Sequence, residues 1–186
     1  MAIRNLRTGY LVAAMVLSAI ALRVLGKLGI LVVPGGILRS IIYISLYIGW
    51  GISLSKRIIH TQVRRYLIIV SCLLAIWFII RTTNYFFTYN ADIQRYLWYL
   101  YYLPMLFVPL YSLFVALSLG KLENSKILKR IQLLLFIPAL LCLLLVLTND
   151  LHQLIFSFPE NEIWTDRNNG YCLGYYIVIG FEIACA

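Results

Sequence analysis

The sequence predicts an all-α fold, a polytopic transmembrane helix bundle of about six membrane segments with the last one truncated. Three observations predict it. Of 186 residues, 62% are hydrophobic, enough for five or six spans of about 20 apolar residues each. Only 12% are charged, against about 25% in an average soluble domain. The apolar residues fall into long blocks with no period-two alternation, which disfavours a β-barrel. The mean hydropathy of +0.88 excludes a disordered chain, a coiled coil and an ordinary soluble domain, which needs more polar residues to cover its surface.

Six apolar stretches can be drawn. They run from Tyr10 to about Leu25, Ile37 to Ser55, Tyr66 to Tyr89, Tyr96 to Leu119, Ile131 to Thr148, and from near Tyr171 to Ala186. The first is short. It is read as a span, with a signal peptide or an interfacial amphipathic helix as alternatives. Ala-Leu-Arg-Val fits a cleavage site poorly. The sixth ends at Glu182-Ile-Ala-Cys-Ala186 with no polar stop and no basic anchor. The expectation is a chain cut inside a helix.

Charge orients these stretches. The net charge is +9. Ten of the sixteen Lys and Arg lie in three segments: Arg4 and Arg7; Lys56, Arg57, Arg64 and Arg65; and Lys121, Lys126, Lys129 and Arg130. Glu123 is the one acid among them, and elsewhere cations and acids balance. Positive charge on alternate connections is the signature of cytoplasmic loops. The N-terminus is therefore expected inside, with loops at residues 90–95 and 149–170 outside. Arg23, Lys27 and Arg39 resist this pattern, because they flank an outer connection.

Few residues could carry chemistry. Arg81 is the most expensive residue of the third stretch, since an Arg at the bilayer centre costs about 2.5–3.5 kcal/mol on insertion scales. Trp77, Arg81, Asn84, Tyr85 and Thr88 share one helical face, expected to point into the bundle. Glu182 sits at a comparable depth, so an Arg81–Glu182 intramembrane pair is expected. The alternative is that Arg81 snorkels outward. Tyr96, Trp98, Tyr99, Tyr101 and Tyr102 open the fourth stretch. An interfacial aromatic belt is the ordinary explanation; an aromatic-lined pocket for an apolar or cationic ligand is the functional one. Pro104, Pro109 and Pro138 fall inside helices and are candidate hinges.

Asp150 and Gln153 have capping-box spacing and predict a short helix over Leu151–Phe156. Asp150 and His152 at i, i+2 are weak evidence for a metal, and none is assigned. The loop from Pro159 to Gly170 carries three acids, Glu160, Glu162 and Asp166, and is the expected recognition surface. Cys72, Cys142, Cys172 and Cys185 show no CxxC spacing, so neither a zinc site nor a disulfide framework is expected. No GxxxxGK[ST], GxGxxG or HExxH occurs. No catalytic residue and no cofactor is assigned, and the chain is not expected to be an enzyme.

A family resemblance rests on four segments. They are Trp98-Tyr99-Leu100-Tyr101-Tyr102-Leu103-Pro104-Met105-Leu106-Phe107, Ala116-Leu117-Ser118-Leu119-Gly120-Lys121, Leu135-Phe136-Ile137-Pro138-Ala139 with Leu147-Thr148-Asn149-Asp150-Leu151-His152-Gln153-Leu154, and Tyr171 to Tyr176 with Gly174. With these, residues 37–186 resemble the seven-transmembrane sensor region at the N-terminus of bacterial histidine kinases, especially versions from low-GC Gram-positive bacteria. Residues 1–36 are then an N-terminal tail plus an extra apolar segment. The resemblance implies a sensory bundle whose last helix leads to a cytoplasmic output domain, in many members a kinase. This chain stops about two helices early.

The function so implied is a membrane sensor in two-component signal transduction, in a bacterial plasma membrane. It would detect an unknown signal in the outer half of the bundle and pass a helix rearrangement to an output domain. The expected ligand pocket is Arg81, Asn84, Trp98, Tyr102, Asp150 and His152. A small transporter or channel, or a structural partner subunit, are the alternatives. Expected partners are the lipid bilayer, an unidentified small ligand and, in a homodimer, a second copy of the chain, but no nucleic acid.

Overall fold

In the computed structural model, residues 2–28, 33–58, 60–86, 90–119, 126–158 and 170–186 are described. They form eight helices and two short strands: α1 Ala2–Lys27, α2 Val33–Arg57, α3 Thr61–Phe86, α4 Ala91–Leu100, α5 Tyr102–Leu119, α6 Lys126–Leu147, α7 Asn149–His152, β1 Phe156–Ser157, β2 Gly170–Tyr171 and α8 Leu173–Cys185. Four helical stretches are long and apolar enough to cross a membrane: Gly36–Lys56, Thr61–Asn84, Ala91–Leu119 and Lys129–Leu147. The α8 helix is apolar but shorter. The all-α polytopic bundle is therefore what the sequence folds into.

The α5 helix is the centre of the bundle. Tyr102, Leu106, Leu110, Phe114 and Ser118 follow one another at i+4 and are all buried. Around them pack α3, α6 and α8. Their partners in the core are Leu73 from α3, Ala139, Cys142, Leu143 and Val146 from α6, and Val178 from α8. The α2 helix packs on the other side of α3, and α1 packs on α2. Small residues set that spacing. Ser71 donates its hydroxyl to the Tyr47 carbonyl, and a Cβ on Gly51 would stand 2.8 Å from Ser71 Oγ.

Several local expectations are corrected. The helical ladder of the fourth stretch is interrupted at the single residue Tyr101, whose backbone stays in the helical region (φ −62°, ψ −26°). Pro104 has no N–H for the Leu100 carbonyl and its ring crowds that group, so the break falls just there. Pro109 and Pro138 lie inside unbroken helices. Residues 91–95, expected as loop, are helical, because Asn90 caps α4 by accepting from the Asp92 and Ile93 N–H groups at 3.1 and 3.2 Å. The predicted helix over Leu151–Phe156 does not form. Its place is taken by the single turn Asn149–His152, which Gln153 ends in a left-handed conformation (φ 49°). Phe156 and Ser157 then pair antiparallel with Tyr171 and Gly170.

The polar face of α3 does not point inward as a whole. Trp77 is 44% exposed and Arg81 is exposed. The Tyr85 and Thr88 side chains lie outside the described residues. What α3 buries is Val63, Val70, Ser71, Leu73, Ala75 and Ile80, slimmer side chains that let it approach α2 and α5 closely. Among the described residues no ion pair joins Arg81 to Glu182. Arg81 instead lines a cavity with α1 and α2, whereas Glu182 lies on α8, against α5 and α6.

Candidate functional site

One end of the bundle is closed by a cap built from three elements: the start of α4, the turn α7 with β1, and β2 running into α8. Its polar centre is Asn149, fully buried. Asn149 Oδ1 accepts from the Ile155 and Phe156 N–H groups, each at 3.0 Å, and its Nδ2 donates to the Phe156 carbonyl at 2.9 Å. One side chain thus replaces the ladder partners that an irregular loop lacks, as buried backbone requires. The same Nδ2 makes a long 3.4 Å contact with the Tyr99 hydroxyl.

Tyr99 carries the cap onto the bundle. Its ring is fully buried, and its hydroxyl donates to Asp150 Oδ1 at 2.6 Å. The other carboxylate oxygen, Oδ2, pairs with Arg95 Nη2 at 3.1 Å. Arg95 Nη2 also meets Asp92 Oδ1 at 3.3 Å. Its guanidinium stands over the rings of Phe158 and Tyr96, at 5.6 and 5.9 Å. Arg95 and Tyr99 are one turn apart on α4, so a single helix face grips Asp150 from both oxygens.

Beneath this clamp is an aromatic cluster around the fully buried Phe156. Trp98 lies 4.4 Å from it between ring centroids, Tyr102 5.7 Å, Tyr175 5.9 Å and Tyr171 6.1 Å. The cap is tied to α8 as well. Cys172 N–H donates to the Ile155 carbonyl at 2.9 Å and Gly174 N–H to the Leu154 carbonyl at 3.0 Å. A Cβ on Gly174 would stand 2.7 Å from that carbonyl oxygen, so only glycine permits this approach.

A family model for the N-terminal 7TM region of histidine kinase matches residues 37–186. The chain belongs to this family. Comparisons with curated proteins and with solved structures yield no match. The histidine-kinase 7TM region is a membrane sensor input domain rather than the catalytic part of such kinases, and the cap residues belong to the matched segment.

The residues expected to share one pocket lie in several places. Trp98 and Tyr102 belong to the aromatic cluster around Phe156, and Asp150 to the clamp above it. His152 shapes the turn. Its Nδ1 accepts from the Leu154 N–H at 3.0 Å, and its Nε2 meets Thr148 Oγ1 at 3.2 Å. Thr148 commits its own proton to the Leu144 carbonyl, so the imidazole carries its hydrogen on Nε2. Asn84 lies beside the Tyr101 hydroxyl, and its Oδ1 is buried without a hydrogen-bond partner among the described residues. Arg81 belongs to the separate cavity. Sequence reasoning missed Asn149, Tyr99 and Arg95 as site residues. The available signal was that Arg95 and Tyr99 stand at i, i+4 on a helix that an acidic segment could reach.

Proposed function

We propose that the cap is the sensing surface of this input domain and that the break at Tyr101 is its pivot. The observation that carries this is the Tyr99–Asp150–Arg95 clamp. It joins the turn after α6 to α4, directly above the break. A ligand that competes for Asp150, or reorders the loop behind β1, releases α4 and changes how α5 packs. Because α5 contacts α3, α6 and α8, a shift there reaches the whole bundle. Pro104 supplies the weak point; Pro109 and Pro138 are secondary flexures. The ligand sits in the outer half, near Asn84, Trp98, Tyr102 and Asp150.

In this reading the chain lies in a bacterial plasma membrane with its N-terminus and the two basic connections in the cytoplasm, as the Lys and Arg distribution supports. The rearrangement passes to an output domain, a kinase in the parent architecture. Two spin labels test the mechanism, one at Thr61 and one at Leu119, with distances recorded in bilayers for the parent chain and for Asp150→Ala. A shifted distance distribution in the variant is expected. Superimposable distributions would remove the clamp from signalling. An impermeant thiol reagent tests the orientation: it should reach a cysteine placed at Gly170 in sealed cells but not one placed at Arg65. Steady-state solute flux in proteoliposomes would point instead to a transporter.

A further inference from the structure

A cavity of about 560 Å³ opens between α1, α2 and α3, helices that contribute no residue to the cap. Four cations line it: Arg23 and Lys27 from α1, Arg39 from α2 and Arg81 from α3. Three of them, Arg23, Lys27 and Arg39, are the residues that resist the charge pattern of the sequence. They come from distant parts of the sequence, yet the antiparallel packing of α2 on α3 brings them to one end. That end is opposite the basic connection of residues 56–65. Arg23 and Lys27 also stand at i, i+4, where like charges repel.

No acid of the described chain offsets this charge. Asp92 and Asp150 are engaged by Arg95 at the cap, and neither they nor Glu182 line the cavity. Cations at membrane depth are retained when they meet a partner. The remaining wall combines Leu22, Ser40 and two glycines with the aromatic rings of Tyr43, Tyr47 and Phe78, of which Tyr43 and Phe78 stand 4.9 Å apart between ring centroids. Cationic groups over an apolar wall match a ligand with an anionic head and an apolar body. The volume falls within the range of small-molecule pockets, about 300–1,000 Å³.

We infer that this cavity is an anion site that takes a phosphate- or carboxylate-headed amphiphile, with Arg39 and Arg81 as its principal contacts. Arginine suits that task because its planar fork engages such oxyanions in pairs of hydrogen bonds. Basic pockets between transmembrane helices bind anionic lipid headgroups on the same principle. The site shares no lining residue with the cap, and it gives α1 a role outside the matched segment.

The test is native mass spectrometry of the whole chain in a zwitterionic detergent, with phosphatidylglycerol, phosphatidylcholine or inorganic phosphate added. Phosphatidylglycerol should be retained about tenfold over phosphatidylcholine at equal mole fraction, a difference of about 1.4 kcal/mol. The preference should vanish in Arg39→Gln/Arg81→Gln and survive in Arg39→Lys/Arg81→Lys. It should also survive in Arg65→Gln/Arg130→Gln, which removes two exposed cations elsewhere. Competition by inorganic phosphate would support the site and make its ligand a soluble anion. Where circular dichroism shows that the double glutamine variant does not fold, Lys27→Gln and Arg23→Gln must each weaken the preference. Equal retention of both lipids without phosphate binding, or a preference unchanged by the cavity variants, would overturn the inference.

Discussion

Tyr99 donates its hydroxyl to Asp150 at 2.6 Å across 51 positions of sequence. That bond joins the buried face of α4 to the turn after α6. With Arg95 on the second carboxylate oxygen, it makes the cap a continuation of the bundle rather than a loose loop.

The clamp should show coupling. Tyr99→Phe removes one hydrogen bond to a charged group and should cost about 1.5–3 kcal/mol. Asp150→Ala removes both partners at once. In a double-mutant cycle the two losses should not add, with a coupling energy of about 0.5–3 kcal/mol. Reversible unfolding in mixed micelles measures it. Additive losses would mean that the bond contributes nothing of its own.

Asn149 offers the most costly single change among the polar residues. Asn149→Ala strands the Ile155 and Phe156 N–H groups and the Phe156 carbonyl. Each buried orphan costs about 1–3 kcal/mol. Protease nicking after the turn should rise well above that of Asn90→Ala, which loses only an exposed cap worth about 1 kcal/mol. Equal nicking of the two variants would show that water replaces the amide without cost.

Gly174 is set by space. Gly174→Val puts side-chain atoms where Leu154 Oand Ile155 Cγ1 already lie, 2.7 and 2.9 Å from the new Cβ. The start of α8 should lift from the cap. Cys172, half-buried and free, should then react faster with a maleimide, by about tenfold if the contact is worth about 1.4 kcal/mol. An unchanged rate would mean that α8 accommodates the side chain in place.

Gln153 should tolerate glycine with profit. It is the one non-glycine residue with positive φ among those described, and that conformation costs an L-residue about 1–2 kcal/mol. Its side chain returns only a 3.4 Å contact with the Phe158 N–H. Gln153→Gly should therefore raise stability by up to about 1 kcal/mol, seen as a higher unfolding midpoint. A lower midpoint would show that the side chain matters more than the backbone.

Much of the architecture was legible. The apolar blocks gave the helix bundle, and the Ile137-Pro138-Ala139 and Thr148-Asn149-Asp150-Leu151-His152 segments gave the family. The site was legible only in part. Trp98 and Tyr102, named for the pocket, pack on each other and on Phe156, whereas Asp150 is held by Tyr99 and Arg95. Arg81 lines the cavity with α1 and α2, and no ion pair joins it to Glu182 among the described residues. Depth along a helix can be counted from sequence, but the direction a residue faces cannot when every side of the helix is apolar.

The sequence by itself determined that this chain is a membrane bundle, because hydropathy and charge act locally and need no knowledge of neighbours. Only the tertiary structure decided that α5 is the centre, that Asn149 organises the cap, and that Arg23, Lys27, Arg39 and Arg81 share a cavity. In a bilayer the lipid-facing and protein-facing sides of a helix are nearly alike in polarity. Which side turns inward is then set by shape and by a few long-range hydrogen bonds, and these exist only once the helices have met.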